Sequence, residues 1–347
     1  MNTKETSTSV ARVVAALAFG IATSTAHAQV ATGNTSQAKI ALSNNYAGNS
    51  WRQAMLTSWD NASGAAIKAG TIAGAPAFTT SGNQITEQAQ QVQNLILQGY
   101  KAIAIDAASP TALNGVIKQA CDAGIVVVSF DGIVTEPCAY RVVVDYKKMG
   151  EMQLDYLNER IKSRNLLEIR GIAGSSIDEQ IHGGIAAGVQ KHSTFKVVGS
   201  VYGNWTQTVA QKEVAGILPT LPKIDAIVTQ GGDGYGAAQA FKAAGRPVPV
   251  IIMGNRYEEL EWWKQQSKEG YQTMSVSIAP GISTFAFWVA QQVLAGKKMP
   301  HDVIVPLVMV EQNNLDEMLK KTPAGGVTNI EYTRDDVVKL VDSMPKH

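Results

Sequence analysis

The sequence predicts an α/β protein of two lobes, each built on a parallel central sheet. Three observations carry that prediction. Apolar runs rich in β-branched residues alternate with helical stretches along the chain, as strands buried on both faces by crossover helices do. One such unit is legible in full from Ala102 to Gly132 (AIAIDAASPTALNGVIKQACDAGIVVVSFDG), reading strand, loop, helix, strand. After Asn165 the same rhythm begins again, which predicts a second lobe of the same kind.

Composition bounds the rest. A chain of 347 residues is long enough for two domains of ordinary size. A formal net charge of +1, with 17% charged residues, indicates neither a nucleic-acid surface nor an acidic tail. The N-terminus departs from this pattern. Lys4 and Arg12 precede the apolar segment Val13 to Ala22, and small residues follow to Ala26-His27-Ala28. That order predicts a secretory signal peptide over 1–28, cut before Gln29, and hence a periplasmic location. The two cysteines, Cys121 and Cys138, are then expected to form a disulfide, since a close pair in an oxidising compartment favours one over a metal site.

Element by element, Lys39 to Ser43 is the first strand and runs into a loop of turn formers, Asn44 to Ser50. A helix begins near Trp51, with Met55, Leu56 and Trp59 at helical spacing as core positions. A strand near Pro76 to Thr80 and a helix from Thr86 to Gln98 follow. In the next unit the strands Ala102–Ile105 and Ile125–Phe130 flank a helix expected to open at Ser109-Pro110 and close at Gly124. Val142 to Val144 leads to Asp145 and a helix from about Lys148 to Lys162. The second half reads as strands Leu166–Ile172, Lys196–Tyr202, Ile224–Thr229 and Val250–Met253, then a strand or crossover Thr273–Ile278. A helix Ser283–Leu294 and a last apolar strand Val303–Val310 come next, with a polar, partly helical extension to His347.

In open α/β sheets ligands bind beyond the carboxyl ends of the strands. Those ends carry Asn49, Trp51, Arg52, Asp106 and Asp131 in the first half, and Trp205, Asp233 and Asn255 in the second. Two lobes whose loops face each other predict a cleft between them. Indole faces pack on the C–H face of a sugar ring, and carboxylates and amides take its hydroxyls. The set therefore suits a neutral polyhydroxylated ligand, with Arg52 compensating buried Asp. The histidines His182, His192, His301 and His347 lack metal-ligand spacing. No G-x-S-x-G or C-x-x-C motif occurs, and Gly231 to Gly236 (GGDGYG) fits neither a dinucleotide fingerprint nor a Walker loop.

From about Ala38 to Val310 the chain resembles the type I periplasmic sugar-binding proteins, the ribose-binding-like substrate-binding subunits of ABC importers. Six stretches carry the resemblance: Gly48–Arg52, Gln91–Ser109, Cys121–Asp131, Gly171–Ser176, Val228–Gly245 and Ile251–Asn255. It implies the periplasmic binding protein type I fold, two Rossmann-like lobes joined by a three-segment hinge near Tyr140, Ser275 and Asp302. The lobes would be 38–140 plus 276–302, and 141–275 plus 303–347. Asn49, Trp51 and Arg52 fall where the family has an asparagine and two ring-stacking aromatics, so Arg52 departs from the second aromatic. Asp106 falls where the family has Asn or Asp, and Asp131 on its ring-hydroxyl acceptor. Glu179 occupies a family arginine position, Trp205 matches the second-lobe aromatic, Asp233 or its Gly neighbours the next polar contact, and Asn255 the usual Asp. Ser277 replaces a glutamine.

The resemblance implies capture of a monosaccharide or polyol by hinge closure and delivery to a membrane permease, without catalysis. It implies no cofactor or metal and no nucleic acid, with a monomer expected. A chemoreceptor or sensor kinase is a compatible further partner. Two other classes compete. An exported α/β enzyme could use Asp106 and Asp131 as acid and base. A transcription regulator of the same fold is disfavoured, because a signal peptide stands where a DNA-binding helix-turn-helix would be.

Overall fold

The computed structural model of the protein describes residues 29–161 and 165–344. The expected signal peptide, 1–28, lies outside the described residues. In the first half the elements are β1 (Ile40–Asn44), α1 (Ser50–Lys68), β2 (Ala77–Thr79), α2 (Ile85–Leu97), β3 (Ala102–Asp106), α3 (Asn114–Asp122), β4 (Val126–Phe130), β5 (Tyr140–Val143) and α4 (Tyr146–Arg160). Then come β6 (Asn165–Arg170), α5 (Ser176–Lys191), β7 (Lys196–Tyr202), α6 (Gln207–Ile217), β8 (Ala226–Val228), α7 (Gly234–Ala243), β9 (Val250–Ile251) and α8 (Tyr257–Ser267). The chain ends with β10 (Ser275–Ser277), α9 (Ile282–Leu294), β11 (Asp302–Ile304), β12 (Val308–Val310), α10 (Leu315–Lys321) and α11 (Arg334–Ser343).

Two parallel sheets result, in the orders β11-β5-β4-β3-β1-β2 and β7-β6-β8-β9. The strands read as apolar runs because helices cover both faces of each sheet. β1 and β3 are buried at every position. Strand order reverses direction between β1 and β3, and again between β6 and β8. Crevices open beyond the carboxyl ends of the strands at such switch points. Trp59 anchors the first lobe: it is fully buried, edge-on to Phe287 at 5.3 Å, with Nε1 donating to Ala75 O at 2.9 Å. Burying a side chain of this size contributes about 2–3 kcal/mol. Among the described residues, no helix is long and apolar enough to cross a membrane.

Three expectations are corrected. The helix placed from Ser109-Pro110 begins instead at Asn114. Ser109 Oγ accepts from the Ala112 N–H at 3.1 Å and closes a turn ahead of the helix. The strand expected over Val303–Val310 is two strands broken around Pro306. β11 pairs parallel with β5 of the first sheet, and β12 pairs antiparallel with β10. A proline supplies no N–H to a ladder, and here it lies where the chain changes sheets. The C-terminal extension, expected on the second lobe, is shared: α10 packs against α8, whereas α11 packs against α9 of the first lobe.

Cys121 and Cys138 are joined by a disulfide, which ties the end of α3 to the loop after β4. The chain passes between lobes after β5, between β10 and α9, and between β11 and β12. Residues 326–332, just before α11, are held by both lobes. Thr328 N–H donates to Asn255 O at 2.8 Å, and Asn329 Nδ2 donates to Ser58 Oγ on α1 at 2.7 Å.

Candidate functional site

Beyond the carboxyl ends of both sheets lies a cavity enclosing about 590 Å³, part of it open to solvent. The first lobe builds its side from the start of α1. Asn49 caps that helix, Oδ1 accepting from the Arg52 N–H at 2.9 Å. The cap sets the first turn, and Trp51 and Arg52 project from it toward the ends of β3 and β4. Trp51 is half-buried on the cavity wall, its Nε1 donating to Ile278 O at 3.0 Å.

Arg52 organises the charges. Its guanidinium is almost wholly buried, pairs with Asp106 through Nη1, and reaches Asp131 Oδ2 through Nη2 at 2.9 Å. Two carboxylates thus converge on one cation, and the hydroxyl of buried Tyr146 donates to Asp131 Oδ1. Burial, reinforced by Asp131, holds the Tyr146 phenol well above its ordinary pKa of 10.0, so it remains a donor. Desolvating three charges is costly, and only this dense pairing offsets it.

The second lobe supplies Trp205 after β7, Gln230, Gly231 and Gly232 after β8, and Asn255 and Arg256 after β9. Trp205 is half-buried. Asn255 is buried, and its Nδ2 donates to Ile278 O at 3.3 Å and Thr328 O at 3.1 Å. Met149, Ile177, Ile181 and Ile278 give the cavity an apolar floor between these groups.

Of the residues expected at the site, Asn49, Trp51, Arg52, Asp131, Trp205 and Asn255 line the cavity, and so does Ser277. Three do not. Asp106 is fully buried behind Arg52, where its Oδ1 accepts from the Gly132 N–H at 3.2 Å. It is the counter-ion of a wall residue rather than a wall residue. Glu179 is exposed and paired with Arg170 at 2.7 Å. Helical geometry carries it to the outer side of α5, while its neighbour Asp178 turns inward to Arg170, the Gly171 N–H and Gln230. Asp233 is fully buried against Gly203 after β7, and Gly231 and Gly232 line the cavity in its stead.

Burial and the nearby Glu259 carboxyl push Asp233 well above the ordinary carboxyl range. Among the described residues neither of its oxygens has a well-formed hydrogen bond. The Thr206 N–H lies close enough to oppose the rise, but its own good bond is to Gly203 O at 2.9 Å.

Tyr146, Gln230 and Arg256 were not among the expected site residues. Gln230 and Arg256 follow β8 and β9, so the strand-end rule that selected Asn255 extends to them. Tyr146 opens α4 after a crossover, and no local pattern marks it.

Residues 40–298 match the family described as "Periplasmic binding protein domain". The chain is similar to a xylitol-binding protein of Mycolicibacterium smegmatis, 25% identical over 270 residues that cover 76% of this chain and 75% of the relative. It is also similar to a D-ribose/D-allose-binding protein of Pseudomonas aeruginosa, 27% identical over 228 residues, 62% of this chain and 70% of the relative. Among solved structures it resembles an ABC transporter solute binding protein from Thermobispora bispora. That match has a TM-score of 0.83 and 32% identity, covering 88% of this chain and 95% of the other.

Proposed function

The chain belongs to the periplasmic binding protein domain family, and from that premise we propose that it captures a monosaccharide or polyol between its lobes and delivers it to the permease of an ABC importer. One observation carries the reading: an indole from each lobe, Trp51 and Trp205, borders one cavity with Arg52, Asp131, Gln230 and Asn255. Flat apolar faces with planar hydrogen-bonding groups suit a ring or chain of C–H faces edged by hydroxyls. The relatives' names, xylitol-binding and D-ribose/D-allose-binding, support a ligand of that class. Family membership supports binding without chemistry. The position of Asp106, covered by Arg52 and off the cavity wall, counts against an acid–base pair with Asp131.

The segments between the lobes would act as the hinge. Closure is selective only so far as the ligand binds the closed form more tightly than the open one. Export through the 1–28 segment to the periplasm and action as a monomer belong to the same proposal. A thermal-shift screen against monosaccharides, polyols and sugar acids tests it. A ligand that binds only the folded state raises the melting midpoint as RT ln(1 + [L]/Kd). A rise of several degrees with one sugar or polyol is expected; a folded protein with a flat screen would reject the ligand class.

A further inference from the structure

Trp205 stands on two consecutive residues in the left-handed region, Asn204 at φ 53° and Trp205 itself at φ 51°. A bulky side chain there is strained and persists only where its surroundings over-determine it. Two neighbours do so. The indole lies against Gly171, where an added Cβ would come within 2.3 Å of ring atoms. The Trp205 carbonyl accepts from Arg256 Nη2 at 2.6 Å.

The guanidinium has its own vacated space. Gly232, at φ 81°, would carry a Cβ 2.6 Å from Arg256 Nε. Arg256 is buried and lines the same cavity as Trp205. Its place at the head of α8 is set by its backbone, whose N–H donates to Glu259 Oε2 at 3.3 Å and whose O accepts from the Leu260 N–H at 3.1 Å. The side chain turns to the neighbouring loop, and its charge also faces the buried Asp233 and Glu259 carboxyls, opposing their rise in pKa.

We infer that Arg256 is a positioning residue: its charge-assisted bond to the Trp205 carbonyl holds the left-handed turn, and so sets the indole as the second-lobe wall of the ligand site. Hydrogen bonds from charged donors are the strong ones, which suits a contact that must sustain backbone strain. The inference rests on the proposed reading of the cavity as a sugar or polyol site only for its consequence in binding. The placement of Trp205 is measurable without any ligand.

The test uses the whole protein carrying Arg256→Gln or Arg256→Lys, each with and without Trp205→Phe. Subtracting the Trp205→Phe partner isolates one indole's emission from the six tryptophans. In ligand-free protein, Arg256→Gln is expected to make the Trp205 component at least about twofold more accessible to acrylamide. Arg256→Lys, which keeps a charged donor, should recover at least half of that change. A folded Arg256→Gln protein with unchanged Trp205 quenching overturns the inference. If Arg256→Gln does not fold, Arg256→Met, which keeps the apolar stem and removes the donors, is read by the same criterion.

A second arm measures binding of xylitol, D-ribose and D-allose by calorimetry. For any probe that binds the parent, Arg256→Gln should weaken binding about tenfold or more. In the Trp205→Phe background the same change should cost less than about threefold; equal losses in both backgrounds overturn the positioning role. If none of the three binds the parent, the binding arm is run with the ligand found by thermal shift, and the quenching result by itself decides the role of Arg256.

Discussion

Trp51 and Asn255 donate to the same acceptor, the carbonyl oxygen of Ile278, at 3.0 and 3.3 Å. Trp51 opens the first helix of one lobe, Asn255 follows the last strand of the other sheet, and Ile278 lies on the crossover between β10 and α9. One oxygen of a connecting segment thus holds a cavity-wall residue from each lobe. Asn255 also donates to Thr328 O, in the stretch shared by both lobes. Asn255→Asp would set a carboxylate against two carbonyl oxygens. It is expected to cost about 1–3 kcal/mol in urea unfolding, whereas Asn255→Gln should cost less. A loss below the error of the titration would reject the shared-acceptor tie.

Arg52 sits between Asp106 and Asp131 with almost no solvent. Removing one partner of a buried ion pair leaves an uncompensated charge, so Arg52→Gln is expected to destabilise by about 3–5 kcal/mol. Adding Asp106→Asn should return part of that loss, because the residual charge is then halved. Denaturant midpoints of the single and double variants measure the coupling. Strict additivity would show that the two residues do not interact.

Glu179 and Gln230 are expected to separate cleanly. Glu179 is exposed and salt-bridged to Arg170, a kind of pair worth about 0–1 kcal/mol, and it stands off the cavity. Glu179→Ala should leave ligand affinity within about twofold of the parent. Gln230 lines the cavity with its amide held by the Gly171 N–H and Asp178, so Gln230→Ala should loosen that wall and weaken binding about tenfold. Calorimetry with the ligand found by thermal shift distinguishes them; a strong effect at Glu179 would restore it to the site.

Asp233 makes stability pH-dependent in a definite direction. Its folded pKa is raised well above 3.8 by burial first and the Glu259 carboxyl second, and unfolding returns it to the ordinary range. The folded state therefore holds the proton more tightly. The stabilisation is complete below the unfolded pKa and falls by about 1.4 kcal/mol per pH unit between the unfolded and the folded pKa, beyond which no further loss occurs. Asp233→Asn removes this titration, so the variant should gain stability relative to the parent as pH increases. Urea midpoints of both proteins from pH 4 to 9 check this, and parallel profiles would falsify it.

The disulfide closes a loop across a sequence separation of 17 residues. In the chain-entropy model Cys121→Ser costs about 3 kcal/mol. The unreduced protein, denatured with a thiol reagent present, should release no free thiol; two would remove the disulfide.

Local patterns made the architecture legible, because a strand buried on both faces must read as an apolar run and a helix must start and stop with caps and turn formers. The rhythm restarting after Asn165, the strand ends at Asp106, Asp131 and Asn255, and the cysteine pairing are all short-range signals. What stands on the cavity wall was decided by competition for partners in three dimensions. Arg52 draws Asp106 behind it, Arg170 holds Glu179 on the outer side of α5, and burial against Gly203 takes Asp233 out of reach. Tyr146 and Arg256 enter from segments that only the tertiary structure brings together. The sequence by itself determined the α/β lobes and the strand ends that face each other. Which side chain at each end meets the cavity was set by tertiary structure, since a charge buried at one position is compensated by a group distant in the chain, and periodicity carries no record of that pairing.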